Sequence, residues 1–161
     1  SVIASSENER QLLWQLREQI PLAEKQYGYA AKHDISLPLS QIEEFVTTNS
    51  AKLKEIEPHG YFSIFGHLGD GNLHYNFGLA GADSQQISEL EQLVNPLVYQ
   101  DVIAHGGSIS AEHGIGQSKK KWFQQFCDPA SYQLMQQFKQ QLDPLNLLNP
   151  GKIFNSSNTN S

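Results

Sequence analysis

Apolar positions recur at helical spacing in three long stretches of the chain and alternate with polar ones in shorter stretches between them. Leu12, Leu13, Leu16, Ile20 and Ala23 predict an amphipathic helix over residues 7–26, which Pro21 should end or kink. Residues 27–38 read as a loop leading into a short extended piece, Asp34 to Leu37, stopped by Pro38. Ser40 followed by Glu43 is a capping-box pattern. It opens a second helix that runs to Ile56 and buries Ile42, Phe45, Val46, Leu53 and Ile56. The aromatic and β-branched run Tyr61 to Phe65 predicts a strand, and Leu73 to Leu79 a second, with Leu73, Tyr75, Phe77 and Leu79 on one face. Ser84 starts a third long helix through Ala104, with Ile87, Leu90, Leu93, Val94, Leu97, Val98 and Val102 apolar. One or two shorter helices follow, the last over 129–142. The tail to Phe154 alternates turn formers with apolar anchors, and 155–161 reads as disordered. Helices mixed with hairpin-like strands predict an α+β domain over residues 1–154, an antiparallel sheet with flanking helices.

Composition narrows the partners. The 161 residues carry a net charge of −6, against nucleic acid or an anionic membrane surface as the main partner. The basic run Lys119 to Lys121 is short and reads as a solvated helix face. Cys127 is the only cysteine, which rules out an intrachain disulfide and favours a reducing compartment; a cytoplasmic location is expected. Among aromatics, its thiol reads as inert. No stretch approaches the ~18 apolar residues of a membrane span. The chain starts without methionine and reads as a fragment.

Two motifs call for a chemical explanation. Residues 66–76 read G-H-L-G-D-G-N-L-H-Y-N, and residues 111–116 read A-E-H-G-I-G. If the first motif joins two strands, His67 and His74 converge at one end of the sheet. Neutral imidazoles there, with the hard oxygen of Glu112, make a mononuclear metal site with open coordination positions, as catalytic sites have. Zn, Mn or Fe would suit these donors. Asp70 either caps the turn or holds an imidazole from behind. His113, next to Glu112, suits a base near neutral pH, since its unperturbed pKa is about 6.5. His33, His59 and His105 lack such context and read as structural or solvent-facing.

These residues identify a family. The chain resembles the C-terminal, substrate-side domain of FAD-linked 2-hydroxy-acid dehydrogenases, which span D-lactate, glycolate and D-2-hydroxyglutarate oxidation. G-H-L-G-D-G-N-L-H, S-I-S-A-E-H-G-I-G and the tail L-D-P-L-N-L-L-N-P-G-K-I-F carry the likeness, with L-W-Q-L-R-E and K-H-D-I-S-L-P ahead of them. The resemblance implies a ferredoxin-like substrate domain covering a flavin held mainly by an upstream FAD domain absent from this sequence. It implies His67, His74 and Glu112 as divalent-metal ligands and His113 as the catalytic base. It assigns Arg17, Lys32 and Asn76 to the small 2-hydroxy-acid substrate, and Asn149 to the segment returning toward the FAD. The electron acceptor is left open, a homo-oligomer is allowed, and the chain alone should not turn over. Where 2-hydroxyglutarate-specific members would carry a hydroxyl four residues after the arginine, this chain has Pro21. Two other classes compete: a stand-alone metal hydrolase, with His113 activating water, and a non-catalytic binding module that keeps the motif as turn structure.

Overall fold

The computed structural model describes residues 2–155; most of the tail expected to be disordered, from residue 156 on, lies outside the described residues. The elements run α1 (Glu7–Tyr27), β1 (Ala30–Ser36), α2 (Ile42–Ile56), β2 (Tyr61–His67), β3 (Asn72–Gly78), α3 (Ser84–Ala104), α4 (Lys120–Phe126) and α5 (Pro129–Leu142), with 3-10 turns at Leu39–Gln41 and Leu68–Asp70. The expected α+β domain with an antiparallel sheet is what forms.

The sheet order is β1-β3-β2, and β3 is antiparallel to both neighbours. β1 and β2 are therefore parallel with β3 slotted between them, the split βαβ arrangement of ferredoxin-like folds. Among the described residues three strands form. A fourth is reduced to the isolated antiparallel bridge between Ser36 and Ser108 at the outer edge of β1.

The period of two divides the sheet into an apolar face and a chemical face. Ala31, Ile35, Leu73, Tyr75 and Phe77 point into the core, where Phe45 and Leu53 of α2 and Val94, Val98 and Val102 of α3 meet them. Lys32, Asp34, Asn72, His74 and Asn76 alternate with those residues along β1 and β3, and Phe65 and His67 sit on the same side of β2. α1 lies over this second face.

That placement overturns the expected burial of α1. Leu12, Leu13 and Leu16 are 52%, 38% and 66% exposed, because the sheet face beneath α1 is polar and is met by Glu24 and Arg17 instead. Nor does Pro21 end the helix, which continues to Tyr27. Its ring only deletes the N–H that would have bonded the Arg17 carbonyl. β1 starts at Ala30, four residues earlier than its sequence suggested, since every residue from Ala30 to Ser36 pairs with β3. The Ser40–Glu43 capping box is not made. A 3-10 turn takes up residues 39–41, and α2 starts after Gln41 without a side-chain cap. Ile56, at the C-terminal end of α2, is exposed.

Candidate active site

Strand register puts the first motif together. His74 of β3 stands opposite Asp34 of β1 and Phe65 of β2, while His67 stands opposite Asn72, so the two histidines are diagonal neighbours on one face. The turn between them depends on Gly71. Its φ is +67°, and a Cβ there would lie 2.1 Å from the Leu37 carbonyl oxygen.

Residues 108–111 bring in the second motif along the free edge of β1. Ser36 and Ser108 exchange backbone hydrogen bonds, and the Ala111 N–H donates to the Asp34 carbonyl at 3.3 Å. The chain then turns over the Asp34 side chain. Asp34 Oδ2 accepts the N–H of Glu112 at 3.0 Å and of His113 at 2.8 Å. One buried carboxylate thus fixes the two residues assigned to metal and base. Burial raises the Asp34 carboxyl pKa, but the N–H donors of His113 and Glu112, with the charges of His113 and Lys119, outweigh it and hold it below the usual value. Lys119, whose own pKa burial lowers, donates to the Asp34 carbonyl at 3.1 Å and lies 3.9 Å from Oδ2.

The expected metal residues fall into two contacts. His67 Nδ1 is 3.1 Å from Glu112 Oε1, and Asn72 Nδ2 donates to that same oxygen at 2.6 Å. His74 belongs to a neighbouring group: donor atoms of Asp34, His74 and His113 all lie within 4.8 Å of one another. The His74 and His113 rings are 5.8 Å apart, and His113 Nδ1 is 3.8 Å from Asp34 Oδ2. Burial lowers the His74 pKa, with Asp34 and Glu112 opposing. A neutral imidazole is the form that binds a metal. The donors are of the kinds a divalent cation takes, but among the described residues the group close enough to share one is Asp34, His74 and His113 rather than His67, His74 and Glu112. The sheet face offers imidazole nitrogen and carboxylate oxygen, and the half-exposed His67 and Glu112 leave ligand positions open. Unpartnered buried oxygens, Asp34 Oδ1 and Asn72 Oδ1, border it. Asp70 is exposed in its 3-10 turn.

Of the residues assigned to substrate, Lys32 and Asn76 line the far side of a cleft of about 410 Å³ that is also bordered by Asp34, His74, His113 and Lys119, whereas Arg17 lines a neighbouring hollow with His67. Lys32 and Asn76 are cross-strand partners and both bind Glu24 of α1, at 3.0 and 2.8 Å. Arg17 lies over the Phe65 ring, 5.0 Å from its centroid, and Phe65 packs on His74 at 4.9 Å. Asn149 is not brought to the cleft. It is exposed in the tail turn with φ +48°, although four residues later the Ile153 N–H donates to the Gly116 carbonyl beside the E-H-G-I-G loop. Cys127 lies apart from the cleft, and burial pushes its thiol pKa up, as an inert thiol requires.

Glu24, Asp34 and Asn72 are site residues that the motif reading passed over, and Lys119, expected on a solvated helix face, is instead buried beside Asp34. Asn72 and Asp34 were legible from alternation, being two residues from His74 and Lys32 respectively. Glu24 and Lys119 had no such signal, because their position follows from how α1 and the chain after His113 pack on the sheet.

Comparison with known proteins adds the family. Residues 1–153 match the family described as FAD linked oxidases, C-terminal domain. The chain is 40% identical over 153 residues to the mitochondrial D-2-hydroxyglutarate dehydrogenase of Bos taurus, covering 94% of this chain and 27% of that protein. It is 36% identical over 154 residues to the D-2-hydroxyglutarate dehydrogenase of Stutzerimonas stutzeri, covering 95% and 33%. The mitochondrial enzyme of that name from Arabidopsis thaliana is 37% identical over 153 residues, covering 94% and 26%. The chain therefore spans about a quarter to a third of the length of these relatives. With two metal-type motifs converging on one sheet face and a match over nearly its whole length, the chain belongs to the FAD linked oxidase C-terminal domain family.

Proposed function

We propose that this chain is the substrate- and metal-binding part of an FAD-dependent dehydrogenase that oxidises a D-2-hydroxy acid to the 2-oxo acid. The observation that carries the proposal is the convergence on one sheet face of imidazole and carboxylate donors, a base candidate, and cationic side chains suited to a carboxylate.

Arg17 and Lys32 supply N–H donors to the substrate carboxylate, Arg17 being able to bind it through two parallel bonds. Asn76 gives one Nδ2 hydrogen to Glu24, and its second Nδ2 hydrogen is the one that can donate to the substrate hydroxyl oxygen. His113 takes that hydroxyl proton. With its own proton on Nδ1 toward Asp34, Nε2 is the free basic atom. Asp34 holds the Glu112–His113 backbone so that this nitrogen keeps its place. A divalent metal, when bound by His67, His74 and Glu112, supplies Lewis-acid polarisation of the hydroxyl oxygen. FAD, when bound, supplies the two-electron acceptor for the hydrogen leaving C2. Among the described residues no dinucleotide cradle forms, so FAD enters through the family alone.

A cytoplasmic location is proposed on the acidic charge and single thiol. The bovine and Arabidopsis relatives are named as mitochondrial, and import of this chain into an organelle would overturn it.

The test is anaerobic mixing of the FAD-loaded protein with a panel of D-2-hydroxy acids, read as loss of flavin absorbance. The His113→Ala variant should slow reduction by about 10²-fold or more. A protein that no D-2-hydroxy acid reduces would sink the proposal.

A further inference from the structure

Lys119 is the residue of the basic run 119–121 that turns inward, and the proposed reaction gives it no task. Its side chain is 10% exposed, whereas Lys121 lies over the Trp122 ring at the surface. Its position follows from α4. Lys119 caps that helix, its carbonyl accepting the Phe123 N–H at 2.8 Å, and Trp122 packs on the core residue Tyr99 with ring centroids 5.6 Å apart. From there Nζ reaches the Asp34 carbonyl at 3.1 Å and stands 3.9 Å from Asp34 Oδ2.

The loop from Ala111 to Ser118 is therefore closed on one residue. Ala111 donates its N–H to the Asp34 carbonyl, Glu112 and His113 donate theirs to Oδ2, and the loop ends at Lys119, whose ammonium returns to that carbonyl. Every residue between these ends except Ile115 is exposed. The Ser110 hydroxyl donates to the Gly114 carbonyl at 2.9 Å, and the Ile153 N–H to the Gly116 carbonyl at 2.8 Å. Both of those ties hold carbonyls. The N–H groups of Glu112 and His113 rest on Asp34.

Asp34 can support them only while its charge is matched. Its side chain is 3% exposed, and Oδ1 has no hydrogen-bond partner among the described residues. A buried carboxylate stripped of its cation is costly, and turning toward water relieves it. The cleft that Asp34 and Lys119 both line offers that water. A carboxylate turned into it takes Oδ2 away from the two N–H groups. His113 Nδ1 also lies near Oδ2, at 3.8 Å, but that ring is 67% exposed and is carried by the loop itself, so it cannot anchor the loop.

We propose that Lys119 is a positioning residue: by matching the Asp34 charge from outside the loop, it keeps Oδ2 on the Glu112 and His113 N–H groups and so fixes the assigned metal ligand and base. What those two residues do is taken from the dehydrogenase reading. Their placement by Lys119 can be measured without turnover.

Amide hydrogen exchange of residues 1–161, read residue by residue, compares the unsubstituted protein with Lys119→Met and with the double variant Asp34→Asn, Lys119→Met. Lys119→Met keeps the side-chain length and removes the charge. The Glu112 and His113 amides should then exchange about tenfold faster or more, while those of β3 stay within about threefold. The double variant removes both buried charges and keeps an acceptor for both N–H groups, so their exchange should return to within about threefold of the unsubstituted protein. Unchanged exchange in Lys119→Met overturns the proposal. So does equal acceleration in β3 and the loop, the mark of a merely structural role. If Lys119→Met does not fold, the double variant decides: slow exchange at Glu112 and His113 upholds the proposal, and exchange about tenfold faster than in the unsubstituted protein overturns it. In the FAD-loaded protein, Lys119→Met should lower the limiting rate of flavin reduction about tenfold or more, with the half-saturating substrate concentration moving less than about threefold. A shift in that concentration with the limiting rate kept would make Lys119 a substrate contact and overturn the proposal. Flavin that no 2-hydroxy acid reduces removes the dehydrogenase reading, and the exchange measurement then decides the role of Lys119 by itself.

Discussion

His33 and His74 are histidines of one sheet on opposite faces, and the side each faces decides what it can do. His33 is fully buried, with Nδ1 2.9 Å from the Tyr75 carbonyl and Nε2 2.8 Å from the Asn95 amide. Burial pushes its pKa down to about 4, so the ring is neutral at pH 7. Facing a carbonyl, Nδ1 must carry the hydrogen; a neutral ring then accepts at Nε2, which requires the Asn95 amide to be assigned with Nδ2 there, the reverse of the Oδ1 placed at 2.8 Å. The sign of the pH effect follows. The unfolded chain binds a proton at His33 below about pH 6.5, and the folded chain only near 4, so stability falls as pH drops through that window. The full loss is about 3–4 kcal/mol, since each tenfold change in proton affinity is worth about 1.4 kcal/mol. Urea titrations between pH 7 and 4 should show it, and His33→Gln should flatten the slope. An unchanged slope would mean that His33 titrates normally. His74, on the chemical face, is assigned to metal with His67 and Glu112. Metal content after dialysis should drop in His67→Ala and Glu112→Ala, while Asp34→Asn, which keeps an acceptor for both backbone N–H groups, should retain it. The opposite pattern would move the metal to the Asp34, His74 and His113 group.

At the scale of elements, the turn between β2 and β3 carries two glycines with different needs. Gly71 has φ +67° and no room for a Cβ beside the Leu37 carbonyl, whereas a Cβ on Gly69 meets nothing within 4 Å. Gly71→Ala should cost roughly 1–3 kcal/mol of stability and displace His74, while Gly69→Ala should change stability by less than about 0.5 kcal/mol. Thermal melts of the two variants check this. Equal melting temperatures would show that the turn can relax. The run of glycines was visible in the sequence, but which of them was obligatory was not. That is set by Leu37, 34 residues away and brought alongside only by β1–β3 pairing. The same limit applies to α1. Its leucines recur at helical spacing, and the spacing gave the helix; it could not give the polarity of the surface beneath it.

For the whole molecule the notable feature is where apolar surface remains. Leu12 and Leu16 on α1, Phe138 on α5 and Leu145, Leu147 and Leu148 in the tail are 52% to 76% exposed. The core of Tyr75, Phe45, Phe77 and the α3 valines is complete without them. Isolated residues 1–161 should therefore bind a hydrophobic dye such as anilinonaphthalene sulfonate while folded, and the FAD-loaded protein should bind less. Absence of dye binding by the folded chain would show that these side chains cover one another. Among the described residues no helix is long and apolar enough to cross a membrane, so this surface is not a spanning segment.

By itself the sequence determined the order of helices and strands, the inward set Leu73, Tyr75 and Phe77, and the two motifs, because period and turn chemistry act over a few residues. It could name His67, His74, Glu112 and His113 as chemically meaningful. Tertiary structure alone decided that Asp34 holds Glu112 and His113 through their backbone N–H groups, and that Glu24 reaches across from α1 to Lys32 and Asn76. These contacts join residues 52 and 79 positions apart, as well as nearer ones. Buried charge must find a partner wherever packing supplies one, and no local pattern encodes which element that will be.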